Sequence, residues 1–151
     1  MRRRRRILQM NGFTLQEMIQ SQTALRNGID NTPSSEHIEN LKLLCEHILQ
    51  PLRDDYNLPL VITSGYRSKK LAGLVGSKIT SQHCSGCAAD FTIPGVDNKK
   101  VFKHIIENLP FDQAILEYYT EDNGGWIHVS YVPNGRGQAL TKDKEGYKTW
   151  Q

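Results

Sequence analysis

Apolar residues recur at three- and four-residue spacing through Ile38, Leu41, Leu44, Cys45, Ile48 and Leu52. That spacing predicts a helix with one buried face, starting near Ser34 or Ser35. Pro51 is expected to end or kink it. Upstream, Thr14-Leu15-Gln16-Glu17 has the form of a capping box and predicts a short helix to about Gln20. Asn27-Gly28 and Asn31-Thr32-Pro33 are turn and stop signals. A third apolar set, Val101, Phe102, Ile105, Ile106 and Leu109, predicts a helix over residues 96–108. Strands are expected over 58–62, 87–93, 114–119 and 126–132, the last two forming a hairpin around a polar, Gly-containing loop. A short helix and a Gly/Ser/Lys-rich loop fill residues 69–82, and the polar stretch from Asn134 onward carries no readable pattern. Helices gather in the first half and strands in the second. The fold class is therefore α+β, a small antiparallel sheet with helices packed on it.

Composition narrows the picture modestly. A chain of 151 residues suits one core, and the expected organisation is a basic tail over 1–12 and a single domain over 13–151. The net charge of +3 is small, and the five arginines Arg2 to Arg6 are set against a nearly neutral remainder. Such a block reads as a solvated tail. Its functional alternative is attraction to an anionic envelope or lipid surface. Nucleic-acid binders more often spread basic residues along a folded face, so no nucleic-acid partner is expected. Ile7 to Gly12 is too polar for the apolar part of a secretory signal, and no apolar run approaches the roughly 18 residues of a membrane span. The expectation is cytoplasmic synthesis without a signal peptide or transmembrane segment, and a monomer. Cys45, Cys84 and Cys87 are odd in number and are expected as free thiols. Cys84-Ser85-Gly86-Cys87 lacks the second pair of a structural zinc site and the βαβ setting of a redox pair.

The chemistry concentrates in two stretches. Ser81-Gln82-His83 leads to Asp90, and Trp126-Ile127-His128 places a histidine on a strand whose neighbours Ile127 and Val129 point the other way. His83, Asp90 and His128 make a three-ligand set that leaves a fourth zinc position open, the mark of a catalytic rather than a structural zinc. The small residues Gly86, Ala88 and Ala89 would let the backbone approach the metal. If Tyr119 pairs with Trp126, Glu117 falls opposite His128, beside the metal, where a general base is needed. A slip of one residue would turn it away. Glu121 and Asp122 are the rival acids. Arg67, in a loop after a strand, has a planar fork suited to a substrate carboxylate or a developing oxyanion. Ser81 either orients its loop or hydrogen-bonds substrate.

The order Ser64-Gly65-Tyr66-Arg67-Ser68, then Ser81-x-His83-x6-Asp90, then Trp126-x-His128 resembles the zinc D-Ala-D-Ala carboxypeptidase family. This belongs to the wider group of peptidoglycan-cleaving LAS-type metallopeptidases, and the likeness is to its small phage-encoded branch. It runs from about Phe13 to Val132. The resemblance implies a LAS/hedgehog-type fold, Zn2+ on His83, Asp90 and His128, and a substrate contact by Arg67; Trp126, and Ser81 in its second role, are also expected to contact substrate. It also implies hydrolysis of a stem-peptide bond in peptidoglycan or a muropeptide, by a carboxypeptidase or an endolysin-type endopeptidase. The setting it implies is the cell wall, as a phage lysis or virion-associated protein. Many members place the catalytic acid three residues before the last histidine. Here that position is Gly125, and Glu117 looks like the substitute. The alternative is a non-catalytic, metal-stabilised wall-binding or structural module.

Overall fold

The computed structural model describes residues 9–151. The arginine run lies outside the described residues. The chain opens with the paired segments β1 (Gln9–Met10) and β2 (Phe13–Thr14). Met10 is buried in the core. Thr14 then caps α1 (Leu15–Ile19) through the reciprocal box with Glu17, as the sequence predicts. Helix α2 (Gln22–Arg26), capped by Ser21, was not expected; it buries only Ala24 and so leaves no periodic signal.

The long helix begins where predicted, with Ser34 capping α3 (Ser35–Leu44). It does not end at Pro51. A wider π-type turn at Cys45–Leu49, in which the Gln50 N–H reaches back to the Cys45 carbonyl, leads straight into α4 (Gln50–Tyr56). Shifting to five-residue spacing just before the proline accommodates the missing N–H and the ring. Asn57, at φ 51°, closes the helix. The first sheet strand, β3 (Val61–Ser64), starts later than expected because Pro59 cannot donate to a ladder.

After α5 (Lys69–Leu74) and a 3-10 turn at Gln82–Ser85 come β4 (Ala88–Thr92) and α6 (Asn98–Asn108). The hairpin β5 (Gln113–Thr120) and β6 (Gly124–Ser130) follows, and the unassigned C-terminal stretch supplies β7 (Gln138–Asp143) and β8 (Gly146–Thr149). The six strands lie in the order β3-β4-β6-β5-β7-β8. Every pairing is antiparallel except that of β5 with β7. The α+β class holds, with a sheet that is mostly rather than wholly antiparallel.

One face of this sheet makes the core. Phe91, Leu116, Ile127 and Val129 pack with Leu44, Ile48 and Leu52 of the long helix and with Phe102 and Ile105 of α6. Strand alternation turns Asp90, His128 and Ser130 to the opposite face, which carries the candidate chemistry.

Candidate metal centre

Asp90 and His128 meet because β4 and β6 pair in a register that sets these two residues directly opposite. His83 arrives from the 3-10 turn, which Ser81 caps by accepting a hydrogen bond from the His83 N–H at 3.2 Å. This contact orients the turn that carries His83. All three candidate ligands are buried. His83 Nε2 lies 3.3 Å and His128 Nδ1 2.9 Å from the same oxygen, Asp90 Oδ1, and the three donor atoms fall within 4.8 Å of one another. Ligands about 2.0–2.1 Å from a tetrahedral zinc stand about 3.3 Å apart, so the cluster has the right spacing. Two imidazoles and a carboxylate also match the donor set of an open zinc site.

Outer contacts fix this geometry. His83 donates its Nδ1 proton to the Gly65 carbonyl at 2.7 Å, which leaves Nε2 with a lone pair for a metal. Burial alone would raise the Asp90 carboxyl, but the adjoining imidazoles of His128 and His83 outweigh it and hold the group well below the usual carboxylate range. Asp90 Oδ2 faces the Arg67 guanidinium at 3.3 Å. Arg67 is itself braced by Ser64 Oγ at 2.8 Å and Ser77 Oγ at 3.3 Å. It also borders a cleft of roughly 320 Å³ lined by Gln20, Thr63, Ser64 and Tyr66.

Gly86 serves a different approach from the one expected. Its φ is +78°, and a Cβ there would sit 2.5 Å from the His37 carbonyl oxygen, so it lets the His83 turn press on α3 rather than on a metal. Ala89 faces the core, and Ala88 alone of the trio is on the metal side.

The expected hairpin register is not the one formed. Glu117 pairs with Trp126, and Ile115 lies opposite His128. A one-residue bulge around Tyr118, with φ 52°, separates these pairs from Thr120 opposite Gly124. The pairing at Glu117 differs from the expected one by two residues, an even number, so Glu117 stays on the His128 face as the diagonal neighbour of His128. Burial, and then the charge of Asp90, push its carboxyl above the ordinary value. Glu121 and Asp122 lie beyond the bulge, at the exposed turn. Trp126 lies tilted against Tyr118 with ring centroids 5.4 Å apart, and its buried indole N–H faces the Glu117 side chain with no acceptor at full hydrogen-bond geometry.

Gly125 now has a steric explanation. At φ +77°, a Cβ would lie 2.0 Å from the Glu117 carbonyl oxygen, so the β5 bulge occupies the room an acid at 125 would need.

Three supporting residues carried no site assignment from the sequence. Asn31 grips both sides of Arg67, donating to the Tyr66 carbonyl at 3.1 Å and accepting from the Ser68 N–H at 2.7 Å. Gln82, next to His83, donates to Asp112 Oδ2 at 2.8 Å. A polar side chain beside a ligand is the signal that could have marked Gln82; nothing local marks Asp112. Cys84 and Cys87 are buried free thiols, as expected, as is Cys45. No described helix is long and apolar enough to cross a membrane.

No curated protein sequence matches the chain. A family model described as peptidase M15 matches residues 11–130, a span that contains the three candidate ligands, Arg67 and Glu117. The buried two-histidine, one-aspartate cluster and this match over most of the chain lead to one conclusion: the chain belongs to the peptidase M15 family of metallopeptidases.

Proposed function

We propose that the protein is a zinc metallopeptidase that hydrolyses a peptide bond in peptidoglycan stem peptides. The observation that carries this reading is the convergence of His83 Nε2, Asp90 Oδ1 and His128 Nδ1 beside Glu117 in an M15 chain. His83, Asp90 and His128 would hold the ion. When bound, zinc supplies a charge that polarises a carbonyl and makes water nucleophilic near neutral pH. Glu117 accepts a proton as the water oxygen bonds to the scissile carbonyl carbon. It then delivers that proton to the leaving amine nitrogen as the C–N bond breaks. Its raised pKa makes it a stronger base than an ordinary carboxylate. Arg67, held against Asp90 beside the candidate ligands, would meet a substrate carboxylate or a developing oxyanion, and Trp126, on the His128 face of the sheet, would pack against substrate. The implied setting is wall degradation of the kind phage lysis or virion proteins perform.

Gly125, read alone, favours a non-catalytic module. The bulge that excludes a side chain there leaves Glu117 on the metal face, and this supports the enzyme. The test combines zinc content with hydrolysis of a stem pentapeptide ending in D-Ala-D-Ala. Wild type is expected to bind about one zinc and cut the peptide. Glu117→Gln should keep the zinc and lose about 10²–10⁴ in rate. Full activity in Glu117→Gln would remove Glu117 as the base, and uncut peptide with zinc present would overturn the substrate class.

A further inference from the structure

The metal face of the sheet does not end at Glu117. Through the β5–β7 and β7–β8 pairings, Glu117 lies beside Lys142 and Lys142 beside Tyr147, all on one face. A row therefore runs from Trp126 through Glu117 and Lys142 to Tyr147. Lys142 sits over the Tyr147 ring, its Nζ 4.9 Å from the centroid. Among the ion pairs of the described residues Lys142 has no carboxylate within 4.0 Å, whereas Lys148 on the same hairpin is taken by Glu145 at 3.2 Å. Tyr147 and Tyr118, on either side, are 58% and 42% exposed. The result is an open aromatic floor leading away from the metal centre, with a cation that Tyr147 holds and no carboxylate approaches within 4.0 Å. Both Lys142 and Tyr147 lie beyond the residues matched by the family model.

Distance sets what this cation could hold. His128 and Lys142 are two strand spacings apart across the sheet, and Lys142 is in register with a residue two positions along β5 from the one opposite His128. With strands 4.7–4.9 Å apart and a rise near 3.4 Å per residue, the offset is about 12 Å, the reach of roughly three extended residues.

We infer that Lys142, backed by Tyr147, is a substrate subsite for a carboxylate carried about three residues from the scissile bond. The inference rests on the stem-peptide reading and deepens it. Stem peptides whose second residue, a D-glutamate, keeps its free α-carboxylate would be preferred over those in which that group is an amide. A lone ammonium attracts a carboxylate, and a neutral amide forfeits that attraction.

The experiment uses the full chain loaded with zinc and two probes, L-Ala-γ-D-Glu-L-Lys-D-Ala-D-Ala and its D-Glu α-amide. Kd is measured by calorimetry and hydrolysis by chromatography. Wild type is expected to bind the acid about tenfold more tightly than the amide, a size suited to a partly exposed charged contact. Lys142→Gln should bring that ratio to about one, Lys142→Arg should keep it, and Lys142→Glu should invert it. Circular dichroism checks that each variant is folded. Equal binding of both probes by wild type, or a preference that survives in Lys142→Gln, overturns the subsite. Cleavage of both probes at the same rate by wild type and Lys142→Gln also overturns it while leaving the peptidase standing. The expected binding ratios without cleavage would keep the subsite and remove the peptidase reading.

Discussion

Two buried aspartates, Asp90 and Asp112, have carboxyls held well below the usual range, by different means and with different consequences. Asp112 is closed. Side-chain hydrogen bonds from Arg136 are the main cause of its shift, with Arg136 Nε 3.0 Å from Oδ1 and Nη2 2.8 Å from Oδ2. The Arg136 N–H and Gln82 Nε2 take the remaining acceptor positions. Asp90 also meets a guanidinium, that of Arg67, through Oδ2, but its other oxygen, Oδ1, is left to two imidazoles. A guanidinium keeps its protons, so its contact with a carboxylate is permanent; an imidazole nitrogen can exchange its proton for a metal. The contrast separates a carboxylate that ties loops together from one able to bind an ion.

Removing each aspartate tests that separation, and the largest effect belongs to Asp90. Asp90→Ala is expected to lose its zinc and about a thousandfold or more in hydrolysis, since the ion lowers the barrier by several kcal/mol. Metal analysis of the purified variant checks this, and zinc retained at wild-type affinity would erase the distinction. Asp112→Asn should keep its zinc and instead lose about 2 kcal/mol of stability in denaturant unfolding, as charged hydrogen bonds become neutral ones. That loss should depend on pH. The folded pKa of Asp112 lies below the ordinary 3.8, so its stabilisation is complete above that value and fades as the pH falls toward the folded pKa. Wild type and variant should therefore converge in stability below about pH 4. The smallest effect is at Gln82, which bridges the two regions from beside His83. Gln82→Ala should weaken zinc binding by about tenfold, in the manner of lost outer-shell contacts, with stability lower by about 1 kcal/mol. A competition titration against a chelator measures the first figure, and an unchanged affinity would show that the Asp112 cluster does not steady the His83 turn.

Where local chemistry decides structure, the chain was legible. Thr14 and Ser34 start their helices as their side chains dictate, because a cap satisfies backbone donors within three residues. Alternation on β6 correctly set His128 apart from Ile127 and Val129. Pro51 does not end the helix, and the remedy, a π-type turn that closes at Leu49, has no sequence mark of its own. The C-terminal hairpin was invisible because β7 and β8 have mostly half-buried or exposed side chains and so weak alternation. Its place on the sheet depends on a parallel pairing with β5 that no local pattern encodes.

By itself the sequence determined the chemical inventory: two histidines and an aspartate with a motif of known kind, an arginine in a Gly-Tyr-Arg loop, and an acid on the penultimate hairpin. These are matters of residue type, spacing and strand parity, which survive small errors in element boundaries. Only the tertiary structure decided that Asp90 and His128 stand in register, that Glu117 keeps its face through a two-residue shift, and that Gly125 has no room for a side chain. Register and bulges are set by contacts between strands distant in sequence, and the free energy that selects them resides in the packed sheet rather than in any segment of it.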